Sequence, residues 1–207
     1  EIISAISHEF KNPISIITGY VQTLQNDKDL PKSMRDKFLE KINSNANKMT
    51  LIIDKLRVAL KLEEEKEKLE LKDVNLNNLC KTIINDLNDK YHNRQVVIEG
   101  LETVIKADET LLNMVISNLI ENALKYSEEL VIVRIEQNSL HVIDKGIGIS
   151  ESELLKITKK FYRVSHNGWN NSLGLGLYIV HKIIHLHNFT LEINSKYGIG
   201  SEFTIKY

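Results

Sequence analysis

The sequence contains few of the residues that would indicate a secreted, membrane-spanning or nucleic-acid-binding protein. Among its 207 residues Cys80 is the single cysteine, so an internal disulfide is impossible, which fits a reducing compartment. The 27 Lys and Arg residues are balanced by 28 Asp and Glu residues, so no basic patch is expected for a nucleic acid. No apolar run approaches the roughly 20 residues that cross a bilayer, and no signal peptide is recognisable.

Proline is scarce as well, and both proline residues lie in the N-terminal part of the chain. Pro13 falls inside a run with apolar residues at helical spacing, so we expect a long helix that bends near it. Pro31 ends a short loop, and a capping-box pattern from Ser33 predicts the start of a second long helix. Two long helices joined by a short loop predict an antiparallel hairpin. Because one hairpin buries its apolar stripes poorly, residues 1–62 are predicted to form a four-helix bundle in a homodimer.

The first predicted helix carries a polar group opposite its apolar stripe. His8 points away from the stripe, Asn12 lies one turn further on the same outward face, and Glu9 lies beside both. An imidazole held outward on a rigid helix beside a carboxylate is placed to react with a partner from solution. An isolated surface histidine, however, is more often only solvated.

The remaining chain has a different pattern. Residues 63–72 are predicted to form a charged linker that leads into a first strand, and residues 73–207 a second domain. Strands, several of them in hairpins, are mixed with helices, which predicts an α+β two-layer sandwich. Helices are expected near residues 75–89, 109–126 and 175–187, and strands near residues 69–74, 96–99, 104–107, 130–137, 140–144, 189–195 and 201–207.

The predicted helix 109–126 carries a line of polar residues along one edge of its buried face. Asn118, Asn122 and Lys125 recur at helical spacing, so their side chains are expected to line a cleft. Amide oxygens are hard ligands that suit Mg²⁺, and a lysine pairs with phosphate oxygens. Taken alone, the pattern also fits an ordinary polar helix flank.

Two glycine-rich segments follow. Asp144 comes directly after a predicted strand and before Gly146 and Gly148. A carboxylate there can accept a hydrogen bond from an exocyclic amine such as that of adenine, and the glycines allow a close backbone approach. Segment 174–177 opens a predicted helix, where free N–H groups hold phosphates. Each segment is a weak signal alone, but their order, with the aromatic and basic segment 161–163 between them, is specific.

At this point the chain resembles the catalytic core of a sensor histidine kinase of a two-component system. The resemblance covers essentially the whole sequence, and the family's boxes stand in the expected order. They are the phosphoacceptor box at 8–13, the asparagine box at 118–126, the first glycine box at 144–148, the phenylalanine box at 161–163 and the second glycine box at 174–177.

The resemblance implies a dimerisation and phosphotransfer hairpin followed by an ATP-binding domain with the fold shared by Hsp90, DNA gyrase and MutL. ATP and Mg²⁺ are the implied cofactors. Asn122 is expected to ligate Mg²⁺, Asn118 and Lys125 to contact the phosphates, and Asp144 to bind the adenine amine. The other expected cofactor-binding residues are Tyr126, Gly146, Gly148, Ile149, Phe161, Gly174, Leu175, Gly176 and Leu177.

The resemblance also implies a reaction. His8 is expected to take the γ-phosphoryl group of ATP and pass it to an aspartate of a response regulator receiver domain. A neutral imidazole is the nucleophile, so Glu9 is the natural group to accept its proton or fix its tautomer, and Arg163 is expected to reach the γ-phosphate. Asn12 matches the position that orients water for dephosphorylation of the regulator. We expect a soluble, cytoplasmic fragment of a parent protein that is anchored in the cell membrane.

The expected lid over the nucleotide, residues 150–173, departs from the family pattern. The family commonly has glycines just before the second glycine box, whereas this chain has Asn170-Asn171-Ser172-Leu173. Less flexible lid backbone, or altered phosphate contacts, would change the affinity for the nucleotide more than the function.

Three other interpretations compete with this one. A dimeric signalling scaffold could bind nucleotide without kinase activity, although intact Glu9 and Asn122 argue against it. An ATPase of the Hsp90 type carries a glutamate where this chain has Asn118, so the base that would activate water is missing. A metal site at His181 and His185, with His187 nearby, has suitable spacing, but amphipathic packing explains that helix better.

Overall fold

The computed structural model describes residues 2–63, 68–88, 90–164 and 173–207, with side chains from residue 6 onward. Residues 64–67 of the expected linker and 165–172 of the expected lid lie outside the described residues.

Two long helices, α1 (Ile2–Asn26) and α2 (Lys32–Lys61), form the N-terminal part, which we call the hairpin. Pro13 is buried and lies within α1, which continues through it. The capping box predicted from Ser33 is wrong, because α2 begins at Lys32 without a side-chain cap. Pro31, with its φ of −52°, instead precedes the helix, and its carbonyl accepts the N–H groups of Met34 and Arg35.

The hairpin exposes a series of large apolar side chains. Soluble monomers rarely leave this much apolar surface uncovered, so the surface fits the four-helix bundle of two copies predicted from the sequence. The exposed residues are Ile14, Ile16, Met34, Leu39, Leu51, Ile53 and Leu60.

The rest of the described chain, residues 72–207, is built on strands and is called the sheet domain. The strands are β1 (Lys72–Asn75), β2 (Val96–Gly100), β3 (Val104–Ala107), β4 (Val131–Ile135), β5 (Ser139–Asp144), β6 (Thr190–Lys196) and β7 (Gly200–Lys206). Five of them form a sheet in the order β2-β4-β5-β7-β6, in which only the β2–β4 pair is parallel. β1 and β3 pair separately and antiparallel.

In the described part of the sheet domain, four helices accompany the strands: α3 (Leu76–Asn88), α4 (Glu109–Tyr126), the short α5 (Glu151–Leu154) and α6 (Gly176–Leu186). α4 has the bounds predicted from the sequence, and the Asp108 carboxylate caps it by accepting the N–H of Leu111 at 3.1 Å. Asn75 likewise accepts the N–H of Asn78 at 3.0 Å ahead of α3. The helices α3, α4 and α6 pack on the sheet, as expected of a two-layer α+β sandwich.

The hydrophobic core runs without interruption from the sheet domain into the hairpin. Ile52, Ala59 and Leu62, at the end of the hairpin, are buried in the same cluster as the apolar face of α6. The neighbouring Ile53 and Leu60 are exposed. α2 therefore turns one face to the sheet domain and another outward. Within the described residues, none of the helices combines the length and the apolar character that a membrane span requires.

Candidate functional site

The polar line predicted on α4 lies next to the second glycine box. Asn118 donates its amide N–H to the carbonyl of Met114 at 2.7 Å, which leaves the amide oxygen Oδ1 to point at α6. A Cβ placed on Gly176 would lie 3.0 Å from this oxygen, so the glycine allows the start of α6 to approach α4. Asn122 and Lys125 follow on the same side of α4, and both are half-buried.

The carboxylate of Asp144 is held at the end of β5. Its side chain is nearly buried, and its Oδ1 accepts the N–H of Gly146 at 2.8 Å. Ser201, its partner on β7, donates from both its backbone and its hydroxyl. Burial raises the pKa of Asp144, while these hydrogen bonds partly offset the rise. The site therefore holds a fixed acceptor, as required for an exocyclic amine.

The first glycine box packs closely against the C-terminal end of α4. A Cβ on Gly146 would lie 2.2 Å from the carbonyl oxygen of Tyr126, and the N–H of Ile147 donates to that oxygen at 3.2 Å. Asp144, Gly146 and Tyr126, which the sequence predicted for one base pocket, are therefore brought together.

On its other side, the first glycine box contacts the β6–β7 hairpin. Gly148 has a φ of +62°, and a Cβ there would lie 2.0 Å from the carbonyl oxygen of Lys196. The N–H of Ile149 donates to the hydroxyl of Ser195 at 2.8 Å, and this hydroxyl donates to the carbonyl of Gly200 at 2.9 Å. Sequence motifs did not indicate Ser195 and Ser201, since neither belongs to a box. Only the structure shows that these two residues pair across the β6–β7 ladder.

The phenylalanine box adjoins the second glycine box. Phe161 donates its N–H to the carbonyl of Gly174 at 3.1 Å, and a Cβ on Gly174 would lie 2.5 Å from the carbonyl oxygen of Tyr162. Phe161 itself has a φ of +64°, which an aromatic residue adopts only under strain. Leu175 is buried and Leu177 half-buried, so these two leucines anchor the start of α6.

The sheet domain meets the hairpin at the phosphoacceptor box. His8 and Asn12 are exposed on α1, as predicted, whereas the Glu9 side chain is only 8% exposed. Arg163 Nη1 donates to Glu9 Oε1 at 2.8 Å. The arginine expected at the γ-phosphate thus lies on the carboxylate next to His8.

A second polar contact joins the two parts at the end of α2. The carboxylate of Glu63 accepts hydrogen bonds from Lys160 Nζ at 2.7 Å and from the Tyr178 hydroxyl at 3.1 Å. The hydrogen bond from Lys160 lowers the pKa of Glu63. Burial, with the Glu63 contact, raises the pKa of Tyr178 to about 12. The sequence placed Glu63 in a linker, and nothing in its surroundings indicated this contact.

The donor set on α4 fits a magnesium ion that is held mainly by a substrate. Mg²⁺ in nucleotide sites usually keeps several waters and takes few protein ligands besides the phosphates. Asn122 carries one such hard amide oxygen, and Lys125, one turn further on, carries a positive charge that would suit phosphate oxygens.

The alternative metal site on α6 is not assembled. His187 accepts the N–H of Asp108 at its Nε2, 3.0 Å away, and its Nδ1 lies 2.8 Å from the carbonyl oxygen of Ile183, to which it donates. Both ring nitrogens therefore serve the packing of α6 against the start of α4. Among the described residues, no group of three or more His, Cys, Asp and Glu side chains could hold a metal ion.

Two family models match this chain. Residues 1–65 match the His Kinase A (phospho-acceptor) domain, and residues 107–207 match the histidine kinase-, DNA gyrase B- and HSP90-like ATPase. The phosphate regulon sensor protein PhoR of Pseudomonas aeruginosa is 32% identical over 220 residues, which cover 100% of this chain and 49% of PhoR. The chain thus spans about half the length of that relative.

Solved structures share the fold. The Acinetobacter baumannii histidine kinase AdeS superimposes with a TM-score of 0.71 at 22% identity, over 96% of each chain. The histidine kinase ThkA in complex with the response regulator protein TrrA gives a TM-score of 0.71 at 24% identity, over 99% of this chain and 60% of the other.

Proposed function

Because this chain belongs to the sensor histidine kinases, we propose that it transfers the γ-phosphoryl group of ATP to His8 and then to an aspartate of a response regulator. The observation that carries the proposal is the 2.8 Å contact between Arg163 and Glu9. This contact supports the proposal because it brings Arg163 of the sheet domain to the carboxylate next to His8 on α1. We divide the chain into a dimerisation and phosphotransfer domain (1–62), a linker with the first strand (63–72) and an ATP-binding domain (73–207).

The nucleotide is proposed to bind along α4. Asp144 would accept the adenine amine, with Tyr126 and Ile149 beside the base, and the hydrogen bonds that fix the Asp144 carboxylate support this role. Asn118 and Lys125 would contact the phosphates. The remaining contacts are assigned to the backbone and side chains of Gly146, Gly148, Phe161, Gly174, Leu175, Gly176 and Leu177.

Magnesium is proposed to bind at Asn122. A bound Mg²⁺ would neutralise part of the charge on the phosphates, which is the main catalytic need in phosphoryl transfer. The half-buried amide of Asn122 would supply its protein ligand.

The reaction follows from the positions of His8 and Glu9. A neutral His8 nitrogen attacks the γ-phosphorus, the bond to the bridging oxygen breaks, and ADP leaves. The imidazole proton passes to Glu9, whose carboxylate lies on the same turn of α1. Arg163 contacts Oε1 of this carboxylate in the structure, and its release would leave Glu9 free to accept the proton. The phosphates of ATP are a more highly charged partner for the guanidinium and would draw it away.

The partners of the chain follow from the hairpin. Its exposed apolar side chains are proposed to pack against those of a second copy, as argued above. A response regulator receiver domain is proposed to dock where His8 is exposed, and the regulator in the ThkA complex supports this choice. Since relatives such as PhoR are about twice as long, we place this fragment on the cytoplasmic side of a membrane-anchored sensor.

Incubation with γ-labelled ATP tests the proposal. A histidine kinase gives protein-bound label that is lost in acid and stable in alkali, because the product is a phosphoramidate. An ATPase of the Hsp90 type would release free labelled phosphate without labelling the protein. A signalling scaffold would give neither product, and either of these two results would contradict the proposal.

Replacing Asn12 by Ala is expected to separate two activities. Asn12 is exposed one turn after His8, where its amide could orient a water for dephosphorylation of the regulator. Alanine favours the helix, so autophosphorylation of His8 should persist while dephosphorylation of the phosphorylated regulator slows at least about tenfold. Label loss from the regulator over time measures the effect. An equal fall in both activities would count against the assignment.

A further inference from the structure

A cation that belongs to none of the recognised boxes lies on the hairpin side of the junction. It is Lys48, on α2. The rings of Tyr20 on α1 and Phe38 on α2 lie 4.9 Å apart and fix the level at which the antiparallel helices meet. Both helices rise about 1.5 Å per residue. Counting the same number of residues back along α1 from Tyr20 and forward along α2 from Phe38 leads to Phe10 and Lys48, which therefore lie at the same level. Lys48 is therefore level with Glu9, beside His8.

Lys48 also lies on the face of α2 that is turned to the sheet domain. Ile52 follows it by one turn and Ala59 by three turns, and both are buried in the shared core. Lys55 falls on the same face, two turns further along, where it acts electrostatically on Glu121. The face of α2 that is turned to the sheet domain therefore carries two lysines. Lys48 lies at the level of the phosphoacceptor box, and Lys55 lies two turns beyond it.

The charges around Lys48 come from both parts of the molecule. Burial lowers the pKa of Lys48, Glu9 on α1 raises it in part, and Lys125 on α4 lowers it further. Arg163 also contacts Glu9. Arg163 thus contacts the buried carboxylate beside His8, while Lys48 interacts electrostatically with this carboxylate and with Lys125. This excess of positive charge suits a group with several negative oxygens.

We propose that Lys48 is a phosphate-positioning residue supplied by the hairpin itself, which binds the phosphoryl oxygens as the group passes from ATP to His8 and afterwards. The inference rests on the proposed kinase function and extends it. Lys125 and Arg163 belong to the sheet domain and would leave with it after transfer. Lys48 remains beside His8, so it would hold the phosphoryl group in place until a regulator arrives. It gives and takes no proton, and the bonds formed and broken are those of the reaction described above.

Three variants test the assignment: Lys48→Gln, Lys48→Arg and, as a matched control on the same face of α2, Lys55→Gln. In Lys48→Gln the initial rate of His8 labelling at saturating ATP is expected to fall about 10- to 100-fold. Affinity for a fluorescent ATP analogue should change by less than about twofold, because the nucleotide site lies in the sheet domain. Lys48→Arg should restore most of the rate, since it keeps the charge. Lys55→Gln should label at about the wild-type rate.

A second measurement follows the phosphorylated protein after ATP has been removed. The phosphoryl group on Lys48→Gln should hydrolyse faster than on the wild type, whereas on Lys55→Gln it should not. A purely structural role for Lys48 would not produce this difference.

The outcomes separate the two proposals. If the wild type acquires no label, the kinase function itself fails. If the wild type labels and Lys48→Gln labels at the same rate, the kinase function stands and the role of Lys48 is wrong. If Lys48→Gln is slow but melts at a lower temperature and Lys48→Arg restores nothing, Lys48 is structural and the inference is overturned.

Discussion

His8→Gln is expected to abolish labelling of the protein by γ-labelled ATP, with a loss of at least about a thousandfold. His8 is exposed on α1, so glutamine can replace it without disturbing the core, and it is at least as compatible with a helix. The glutamine amide nitrogen has no available lone pair and cannot attack phosphorus. The loss would therefore come from the missing nucleophile.

The matched control is His185→Gln. His185 is an exposed histidine near the end of α6, and its replacement should leave the label unchanged. His8→Gln should still bind a fluorescent ATP analogue as the wild type does, because the nucleotide site lies in the sheet domain. Acid-labile label that persists on His8→Gln would show that another residue accepts the phosphoryl group.

Gly148→Ala is expected to remove ATP binding almost completely. An added Cβ would lie 2.0 Å from the carbonyl oxygen of Lys196, at a φ of +62°. The first glycine box would have to leave the β6–β7 hairpin, and the backbone after Asp144 would move with it. We expect affinity for ATP to fall at least about 100-fold, and the free energy of unfolding to fall by about 3 kcal/mol or more.

Gly198→Ala is a control that separates the effect of backbone strain from the effect of the steric clash with Lys196. Gly198 also has a positive φ, +79°, but a Cβ there would meet nothing within 4 Å. This variant should lose about 1–2 kcal/mol of unfolding free energy and keep most of its affinity for ATP. Urea unfolding and titration with a fluorescent ATP analogue measure both quantities. Equal losses in the two variants would mean that the close approach of Gly148 to Lys196 is unimportant.

Elements with strong local signals were predicted well. α4 begins and ends where the sequence indicated, because Asp108 supplies a cap and its apolar residues keep one helical face for the whole length. The prediction of β1 was less accurate. The alternation of Leu69, Leu71 and Val74 predicted a strand over residues 69–74, but β1 runs over Lys72–Asn75. A strand needs a partner, and β3 offers only four residues to pair with.

Contacts between distant parts of the chain could not be predicted from local patterns. The boxes named the residues of the candidate site, but Glu63 and Lys48 belong to no box. Their roles depend on how the hairpin lies against the sheet domain. The parallel pairing of β2 with β4 likewise depends on the path of the chain over α4. The motifs therefore named the candidate nucleotide-binding side chains, whereas the docking of the two parts had to come from the structure.

The continuous core through Ile52, Ala59 and Leu62 has a thermodynamic consequence. Any rotation of α2 must change these apolar contacts, and so must any movement of the sheet domain toward His8. The two events are then linked, and linkage is reciprocal. If a ligand that rotates α2 changes the affinity for ATP by some factor, saturation with ATP must change the affinity for that ligand by the same factor.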